Sequence, residues 1–254
     1  MNMLAKAALV DFCIQWLCWA VAATLKTEKF YDLAGSSTFF LVVVQTLVWG
    51  ERYFTRQKVQ TGLVAIWAVR LGSYLVPRIL QDGHDKRFDG VRDNPPKFLI
   101  YWTIQGVWVF VTLLPTLLLN LKKNDLSLCA RDILGWGLWV VGFLFEAIAD
   151  YQKSQFRSDP ANKGMFIQEG LWSISRHPNY FGEILMWTGL FISASSVLEG
   201  VELLSVISPM FVAFLLIKVS GIPLLEKAGL KKWGSNPAYQ DYLRDIAVLV
   251  PYVW

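Results

Sequence analysis

The chain alternates long apolar stretches with short polar connections, and this pattern predicts a bundle of membrane-spanning helices. A helix needs roughly 20 apolar residues to cross the hydrocarbon core of a bilayer. Seven stretches approach that length, at residues 4–25, 38–50, 59–80, 98–121, 133–151, 180–198 and 201–225. The second is short, as is typical of a tilted or partly interfacial helix. We therefore expect an all-α, polytopic membrane protein with about seven transmembrane helices.

The composition favours the same class, because charged residues make up only 17% of the 254 residues and hydrophobic residues 54%. A soluble domain usually carries about 25% charged residues. No polar block is large enough for a separate soluble core, so we predict a single membrane domain over residues 1–254. The first apolar stretch contains Asp11 and lacks a preceding basic cluster, which favours a retained helix over a cleaved signal peptide.

The basic residues in the connections predict the orientation of the chain in the membrane. With the N-terminus outside, the inside segments carry 14 Lys and Arg residues and the outside segments carry 7. The positive-inside rule therefore predicts an N-out, C-in protein. The long polar segments 81–97, 152–179 and the C-terminal tail then face the cytosol, and so does any site that they build. This membrane is the endoplasmic reticulum in a eukaryote or the inner membrane in a bacterium.

Polar side chains on the third predicted helix indicate the wall of a cavity within the membrane. Arg70 and Tyr74 are four residues apart on one helical face, and Trp67 lies on the same side. An arginine at this depth must find a partner or water. The functional interpretation is a polar wall in which the phenol of Tyr74 meets a substrate carbonyl.

Charged residues in two of the inside segments are candidates for binding a phosphate-containing ligand. Arg87 lies in a loop of alternating charges, which is typical of a solvated interface but also within reach of a phosphate. Glu146, Asp150 and Arg157 share one face at the end of the fifth helix. Carboxylates accept hydrogen bonds from amides or ribose hydroxyls, and an arginine binds phosphate bidentately. An ion pair at the membrane surface is the plainer alternative.

The clearest chemical signal is the sequence RHPNY (176–180) at the start of the sixth predicted helix. Pro178 disfavours helical geometry at His177 and suits the first turn of the helix that follows. The unpaired N–H groups of that turn, with two basic side chains beside them, indicate an anion site. Glu183 enters the membrane one turn later, where an acid needs a partner. A loop anchored by interfacial aromatic and basic residues has equal weight on physical grounds.

The last part of the chain adds further polar candidates. Lys218 and Glu226 are eight residues apart, on similar faces. Tyr239 and Tyr242 lie in a tail that ends apolar, so we expect the tail to fold back against the membrane surface. The three cysteines have neither metal-ligand spacing nor a readable disulfide framework, and we predict no metal site.

These blocks together resemble a known superfamily of membrane enzymes. The sequence SRHPNYFGE (175–183), an apolar helix, Glu226, KWG (232–234), the two tyrosines and VPY (250–252) are similar to the C-terminal half of certain reductases and methyltransferases. These are the steroid 5-alpha-reductases, the sterol C14 and C7 reductases and the isoprenylcysteine carboxyl methyltransferases. The blocks KTEKFYDLAGS (26–36), RLGSY (70–74) and DKRFDG (85–90) resemble a poorly characterised branch of the steroid 5-alpha-reductase family. The likeness covers nearly the whole chain.

The resemblance implies a seven-helix fold that binds NADPH in its C-terminal half, at about residues 132–254. Together with the motifs, it predicts these cofactor-binding residues: Arg87, Asp150, Arg157, Arg176, His177, Asn179, Tyr180, Glu183, Lys218, Glu226 and Tyr242. Trp67 stands near the position at which the steroid reductases carry a substrate-binding tyrosine. We therefore place Trp67 and Arg70 in the substrate site and predict Tyr74 as the catalytic residue.

We expect an NADPH-dependent membrane oxidoreductase that reduces a C=C bond of a lipidic, steroid-like or enone substrate. One alternative is a lipid methyltransferase that uses S-adenosylmethionine on the same scaffold. A second glutamate beside Glu226 would favour it, and the chain has Leu225 there. Another alternative is a non-catalytic lipid-binding membrane protein. The expected partners are the lipid bilayer and a lipidic small molecule. Because no basic stretch is long enough, we expect no nucleic acid.

Overall fold

The computed structural model describes residues 2–83 and 85–253, and every regular element within them is helical. The α-helices are α1 Met3–Leu25, α2 Tyr31–Gly50, α3 Thr55–Asp82, α4 Pro95–Asn120, α5 Ala130–Ser158, α6 Pro178–Ala194, α7 Ile207–Phe214, α8 Ile222–Trp233 and α9 Pro237–Asp245. Among the described residues, six helical segments are long and apolar enough to span a membrane. The all-α, polytopic membrane class is therefore confirmed. The count of seven and the N-out orientation stay predictions.

The second helix begins earlier than the sequence pattern predicts, at Tyr31 rather than at residue 38. Its first turns are polar or small, and this composition is why they resemble a loop in the sequence. Ala34, Gly35 and Ser36 are nevertheless buried in the fold. A Cβ atom at Gly35 would lie 3.0 Å from the side chain of Gln105 on α4. The polar first turns of α2 therefore face other helices and not lipid. A prediction from hydropathy, which assumes contact with lipid, does not recognise them as helical.

The predicted helix over 201–225 lies within one of the six long apolar segments, Gly200–Trp233, and the structure divides this segment into parts of different helical geometry. A 3₁₀ segment, Gly200–Val206, precedes α7, and a π-helical segment, Leu215–Val219, follows it. Pro223 cannot donate a backbone hydrogen bond and is accommodated in the first turn of α8. The amide of Ser220 instead donates to the carbonyl of Leu215 at 2.8 Å, which closes the π-helical segment. The α-helical hydrogen-bond pattern is therefore interrupted before Glu226.

The chain divides into two compact units. The first comprises Met1–Asp132 and Ser193–Ser208, and the second comprises Ile133–Ile192 and Pro209–Trp254. The prediction of one membrane domain over residues 1–254 stays a prediction.

The first unit is built on α1 to α4 and contains buried polar groups that bond to one another. Gln15 on α1 donates to Thr38 on α2 at 3.1 Å and accepts from Gln105 on α4 at 2.9 Å. At another point of the unit, the fully buried Arg56 donates to both carboxylate oxygens of Asp132, at 2.7 and 2.9 Å. Polar groups in a membrane protein must be satisfied internally, and these bonds satisfy them between helices.

The second unit depends on a close contact between α5 and α6. Glycines face each other at two levels of this contact, Gly135 with Gly189 and Gly142 with Gly182. A Cβ atom at Gly142 would lie 2.5 Å from the carbonyl oxygen of Gly182 and 2.9 Å from Met186. Small residues let membrane helices approach until their backbones touch, and van der Waals packing then holds them together. This contact fixes the relative position of the two helices that carry the polar motif.

The glycine contact predicts a sharp difference between two alanine substitutions on α5. Gly142→Ala should lower the free energy of unfolding by about 1–3 kcal/mol, because the new methyl group overpacks the contact with α6. Gly137→Ala is the matched control, since a Cβ atom there meets no atom within 4 Å. It should be neutral or stabilising by up to about 1 kcal/mol, through helix propensity. Equilibrium unfolding in mixed detergent micelles measures both values, and equal stability of the two variants would contradict the assigned contact.

Candidate functional site

The first part of the candidate site is a hydrogen bond between α5 and the first turn of α6, within the second unit. The amide nitrogen of Asn179 donates to Asp150 Oδ1 at 3.1 Å. Asp150 is only 6% exposed, so its carboxylate needs such partners. α6 begins at Pro178, and Asn179 is its second residue. The amide oxygen Oδ1 of Asn179 is buried without a hydrogen-bond partner among the described residues.

The second part is a carboxylate that binds two basic side chains of the RHPNY motif. Glu226 on α8 accepts a hydrogen bond from Arg176 Nη1 at 2.9 Å and contacts His177 Nε2 at 2.8 Å. The sequence places these groups about fifty residues apart, and α8 brings the carboxylate to them. The motif and α8 therefore form one polar cluster.

The backbone of the motif is held by the end of the chain. The amide of Arg176 donates to the carbonyl of Ala247 at 2.9 Å. The hydroxyl of Ser175 donates to the carbonyl of Leu249 at 2.7 Å and accepts from the amide of His177 at 3.2 Å. These bonds fix the bent stretch before Pro178, so the basic side chains project from a defined backbone.

Burial sets the protonation state of His177, whose side chain is 5% exposed. Burial lowers the pKa of His177 below its usual range, and the positive charges of Lys153 and Arg176 lower it further. Glu226 acts in the opposite direction but does not outweigh burial. The neutral ring carries its proton on Nε2 and donates it to Glu226. Nδ1 is then an acceptor, and it is buried without a partner among the described residues.

Aromatic residues connect the loop before the motif to α5 and α9. Tyr242 donates its hydroxyl to the carbonyl of Trp172 at 2.9 Å, and Trp172 donates its indole N–H to the carbonyl of Ala149 at 3.0 Å. Lys153 Nζ lies 4.3 Å from the centre of the Trp172 ring. Burial raises the pKa of Tyr242, so its phenol stays protonated and acts as a donor. Tyr242 thus holds the loop before the motif against α9.

The other predicted residues of the second unit differ in exposure. Tyr180 stacks on His177, with ring centres 5.6 Å apart and planes inclined by 6°. Glu183 is half-buried on α6, one turn after Asn179. Arg157 at the end of α5 and Lys218 in the π-helical segment are exposed. The structure thus brings the motif residues, Asp150 and Glu226 into two bonded groups, and it leaves two of the predicted basic residues at the surface.

Trp67, Arg70, Tyr74 and Arg87 belong to the first unit. Trp67 is 1% exposed and packs edge-on against Phe39, with ring centres 4.9 Å apart. The guanidinium carbon of Arg70 lies 5.9 Å from the ring centre of Tyr74. Trp67 therefore has a packing role in this structure, whatever it contributes to a substrate site.

Arg87 is bound by two carboxylates of the first unit. Its guanidinium donates to Asp32 at 2.9 Å and, through Nε, to Asp85 at 2.7 Å. A phosphate would have to compete with both acids for this side chain. The sequence pattern does not indicate this, because Asp32 lies 55 residues away.

Sequence reasoning missed two residues that position the site, Ser175 and Trp172. Ser175 directly precedes the motif, and its hydroxyl connects the motif to residue 249. Trp172 is an ordinary interfacial aromatic in the sequence, yet its indole and carbonyl groups connect two helices. Only a prediction of tertiary contacts could have revealed either role.

Comparisons with known proteins place the chain in a family. The family model described as "Protein of unknown function (DUF1295)" matches residues 18–246. The chain is 22% identical over 270 residues to uncharacterized protein C594.04c of Schizosaccharomyces pombe, covering 94% of this chain and 78% of that protein. No solved structure matches it.

Two further relatives carry enzyme names. The chain is 30% identical over 120 residues to 3-oxo-5-alpha-steroid 4-dehydrogenase 1 of Rattus norvegicus, and 25% identical over 119 residues to the probable O-methyltransferase ustE of Ustilaginoidea virens. These matches cover 47% and 40% of this chain. They span 40% of the steroid enzyme and 41% of the methyltransferase, so the chain matches about two fifths of each relative.

The buried, neutral state of His177 predicts a pH dependence of stability. The folded-state pKa of His177 is lowered, so its contribution is fully present above the unfolded pKa of about 6.5 and is lost as the pH falls towards the folded pKa. The free energy of unfolding should therefore fall between pH 6.5 and the lower pKa, with a slope of at most about 1.4 kcal/mol per pH unit.

The measurement is the difference in unfolding free energy between the wild type and His177→Gln from pH 5 to pH 8. Gln retains a donor for Glu226 but does not titrate. The difference should be constant above pH 7 and shrink as the pH falls. A difference that grows at low pH would show that His177 is charged in the folded protein.

Proposed function

The chain belongs to the DUF1295 family, within the steroid 5-alpha-reductase-like superfamily, and we propose that it is an NADPH-dependent membrane oxidoreductase. The proposed reaction reduces a C=C bond of a lipidic, steroid-like or enone substrate. The similarity to a relative named as a steroid dehydrogenase supports a reductase. The membrane-spanning helices support a lipidic substrate.

The observation that carries the proposal is the set of buried polar atoms around the motif. Asn179 Oδ1, His177 Nδ1 and Arg176 Nε are buried without hydrogen-bond partners among the described residues. Buried polar atoms in a folded protein normally have partners, so such a cluster favours a ligand that supplies them. The set contains two acceptors and one cationic donor. A dinucleotide, which has amide and hydroxyl donors as well as phosphates, fits this set.

Several residues would hold the cofactor according to this proposal. Asp150 and Glu183 are acceptors for hydroxyl or amide groups, and Asn179 can both donate and accept. The remaining predicted cofactor residues of the second unit are Arg157, Arg176, His177, Tyr180, Lys218, Glu226 and Tyr242. When bound, NADPH supplies a hydride. The protein residues orient it, and the arginines offset the charge of its phosphates.

The residues that would act on the substrate are proposed on α3, in the first unit. A ketone conjugated to the C=C bond is activated when a donor stabilises the negative charge that develops on its oxygen. Tyr74 is our choice for this donor, because a phenol can donate a hydrogen bond and then a proton. The guanidinium of Arg70 lies beside its ring. Trp67, on the same helix, would give the substrate an apolar surface to contact.

Binding of NADPH tests the cofactor assignment directly. Purified protein should unfold at a higher temperature in NADPH, because a ligand of the folded state stabilises it by mass action. Asn179→Ala and Arg157→Ala should remove this shift. Asn124→Ala and Arg52→Ala are matched controls at exposed positions of the first unit and should retain it. An unchanged shift in Asn179→Ala would refute the assigned site, provided that its stability without ligand is recorded first.

A methyltransferase is the second candidate, and the similarity to the probable O-methyltransferase ustE is the observation that favours it. The polar cluster of the RHPNY motif and Glu226 also fits S-adenosylmethionine. The carboxylate of its amino acid part could pair with Arg176 in place of Glu226. Leu225, where a second glutamate would favour this activity, argues against it.

Parallel titrations separate the two candidates. We expect a thermal shift with NADPH and NADP⁺ and none with S-adenosylmethionine. A shift with S-adenosylmethionine alone would overturn the reductase proposal in favour of the methyltransferase. No shift with any of the three would favour a non-catalytic lipid-binding protein. Incubation with deuterated NADPH and a panel of lipidic enones then tests for transfer of deuterium to the β-carbon, by mass spectrometry.

A further inference from the structure

A groove with a volume of about 680 Å³ lies between α2 and α3, in the first unit. This volume is within the range of about 300–1,000 Å³ that is typical of ligand pockets. Its outer walls are exposed residues, Phe40 and Leu41 on α2 and Val69, Ser73 and Pro77 on α3. Both helices are long and apolar enough to span a membrane, so these residues face the bilayer. A lipid therefore has direct access to the groove.

The groove is separate from the proposed substrate residues of the same helix. An α-helix has 3.6 residues per turn, so residues 67 and 74 share one face and residues 69 and 76 share the opposite face. Trp67 is buried against Phe39, whereas Val69 is 58% exposed in the wall of the groove. A ligand of the groove therefore contacts the side of α3 that has no role in the proposed reaction.

Small residues form the floor of the groove. Gly72 on α3 and Ser36 on α2 lie so close that a Cβ atom at Gly72 would be 3.0 Å from Ser36 Oγ. Ala68, one turn before Gly72, is also buried. The lining residues of α3 extend from Ala68 to Pro77, which corresponds to about 14 Å along the helix axis. The shape suits an elongated ligand that lies along the two helices.

Two polar groups beside this floor lack the partners that they normally have in a helix. Pro77 lies inside α3 and has no N–H, so the carbonyl of Ser73, four residues earlier, lacks its α-helical donor. The hydroxyl of Ser73 donates to the carbonyl of Val69 at 2.7 Å. On α2, the exposed Ser37 follows Ser36, and its hydroxyl bonds to no other described residue. Lipid contains no water to satisfy these groups.

The chemistry of the lining favours a hydroxyl group over the other polar groups of a bilayer. The lining residues carry no charge, so a phosphate or a carboxylate would be buried there without a counter-ion. An ester carbonyl only accepts hydrogen bonds and cannot serve the carbonyl of Ser73. A hydroxyl both donates and accepts, so it can serve Ser73 and Ser37 together. The helix of a second copy has its backbone N–H groups bonded internally and offers no such donor.

We propose that the groove between α2 and α3 binds a neutral lipid alcohol from the bilayer. The lipid hydroxyl donates to the carbonyl of Ser73 and accepts from the hydroxyl of Ser37. The hydrocarbon part packs against Phe40, Leu41 and Val69. This ligand is not a substrate of the proposed reductase, because a lipid alcohol has no ketone conjugated to a C=C bond. It stabilises the pairing of α2 with α3 as a ligand of the folded protein.

Saturable binding of radiolabelled cholesterol, and separately of 1,2-dioleoylglycerol, to the full chain in phosphatidylcholine nanodiscs tests the proposal. Pro77→Ala supplies the missing N–H to Ser73 without filling the groove, and Ser37→Ala removes the donor. Each should weaken binding of the alcohol about two- to tenfold, the scale of one hydrogen bond. Val69→Phe fills the groove and should abolish saturable binding. Val48→Phe is the matched control, at an exposed position of α2 outside the groove, and should bind like the wild type.

A second probe separates the lost hydrogen bond from a change in helix structure. Cholesteryl methyl ether has no hydroxyl to donate, so it should bind more weakly than cholesterol and equally to the wild type and Pro77→Ala. A Pro77→Ala protein that weakens both probes alike would overturn the assigned contact with Ser73. Tighter binding of cholesterol than of dioleoylglycerol would identify a sterol, and the reverse order a glyceride.

The remaining outcomes concern the groove as a whole. Wild-type protein that binds neither alcohol saturably would overturn the proposal, as would folded Val69→Phe protein that binds cholesterol like the wild type. Sedimentation in detergent measures the alternative occupant, a second copy of the chain. A dimer that Val69→Phe dissociates, with no loss of cholesterol binding, would assign the groove to protein contact and overturn the lipid site.

Discussion

The backbone contact between α5 and α6 is the constraint on which the candidate site depends. Where Gly142 meets Gly182, the two helices approach more closely than any larger residue permits. At this separation, Asp150 and Asn179 are within hydrogen-bond distance two turns further along α5. The helices of a membrane protein gain little from hydrophobic association in lipid, so such steric fit has to provide the alignment. The geometry of the polar motif therefore depends on glycines that have no functional side chain.

The negative charge of Glu226 is shared between two basic side chains of the motif, Arg176 and His177. The Glu226 carboxylate accepts hydrogen bonds from an arginine and a neutral histidine, and each of these side chains keeps a further polar nitrogen that Glu226 does not bind. Arg176 retains a buried Nε and His177 a buried Nδ1 without partners among the described residues. A partly satisfied network is costly in a protein without a ligand, and it is suited to one that gains partners on binding. These unpaired atoms therefore lower the stability of the unliganded protein and raise its affinity for a ligand that pairs with them.

The apolar pattern predicted the long helices well, because length and hydropathy decide whether a segment can span a bilayer. It failed where other forces decide. The polar start of α2 at Tyr31 is buried against helices and not against lipid. The stretch 201–225 is mostly apolar, yet the backbone geometry at Gly221 and Pro223 interrupts the helix there. In the site, the motif was recognised from its local chemistry, whereas its pairing with Glu226 is a tertiary contact that no spacing rule encodes. The catalytic and cofactor roles stay predictions.

The bonds from Ser175 and Arg176 to residues 247–249 have a consequence for how the protein is made. The hydroxyl of Ser175 bonds to a carbonyl that is synthesised 74 residues later. During membrane insertion, α5 and α6 can pair while the backbone before Pro178 still lacks these partners. The motif can reach its final geometry only after residues 247–249 leave the ribosome. Nascent chains that are interrupted before this point would carry inserted helices but an unfinished site, which gives a cell a structural basis for separating them from completed protein.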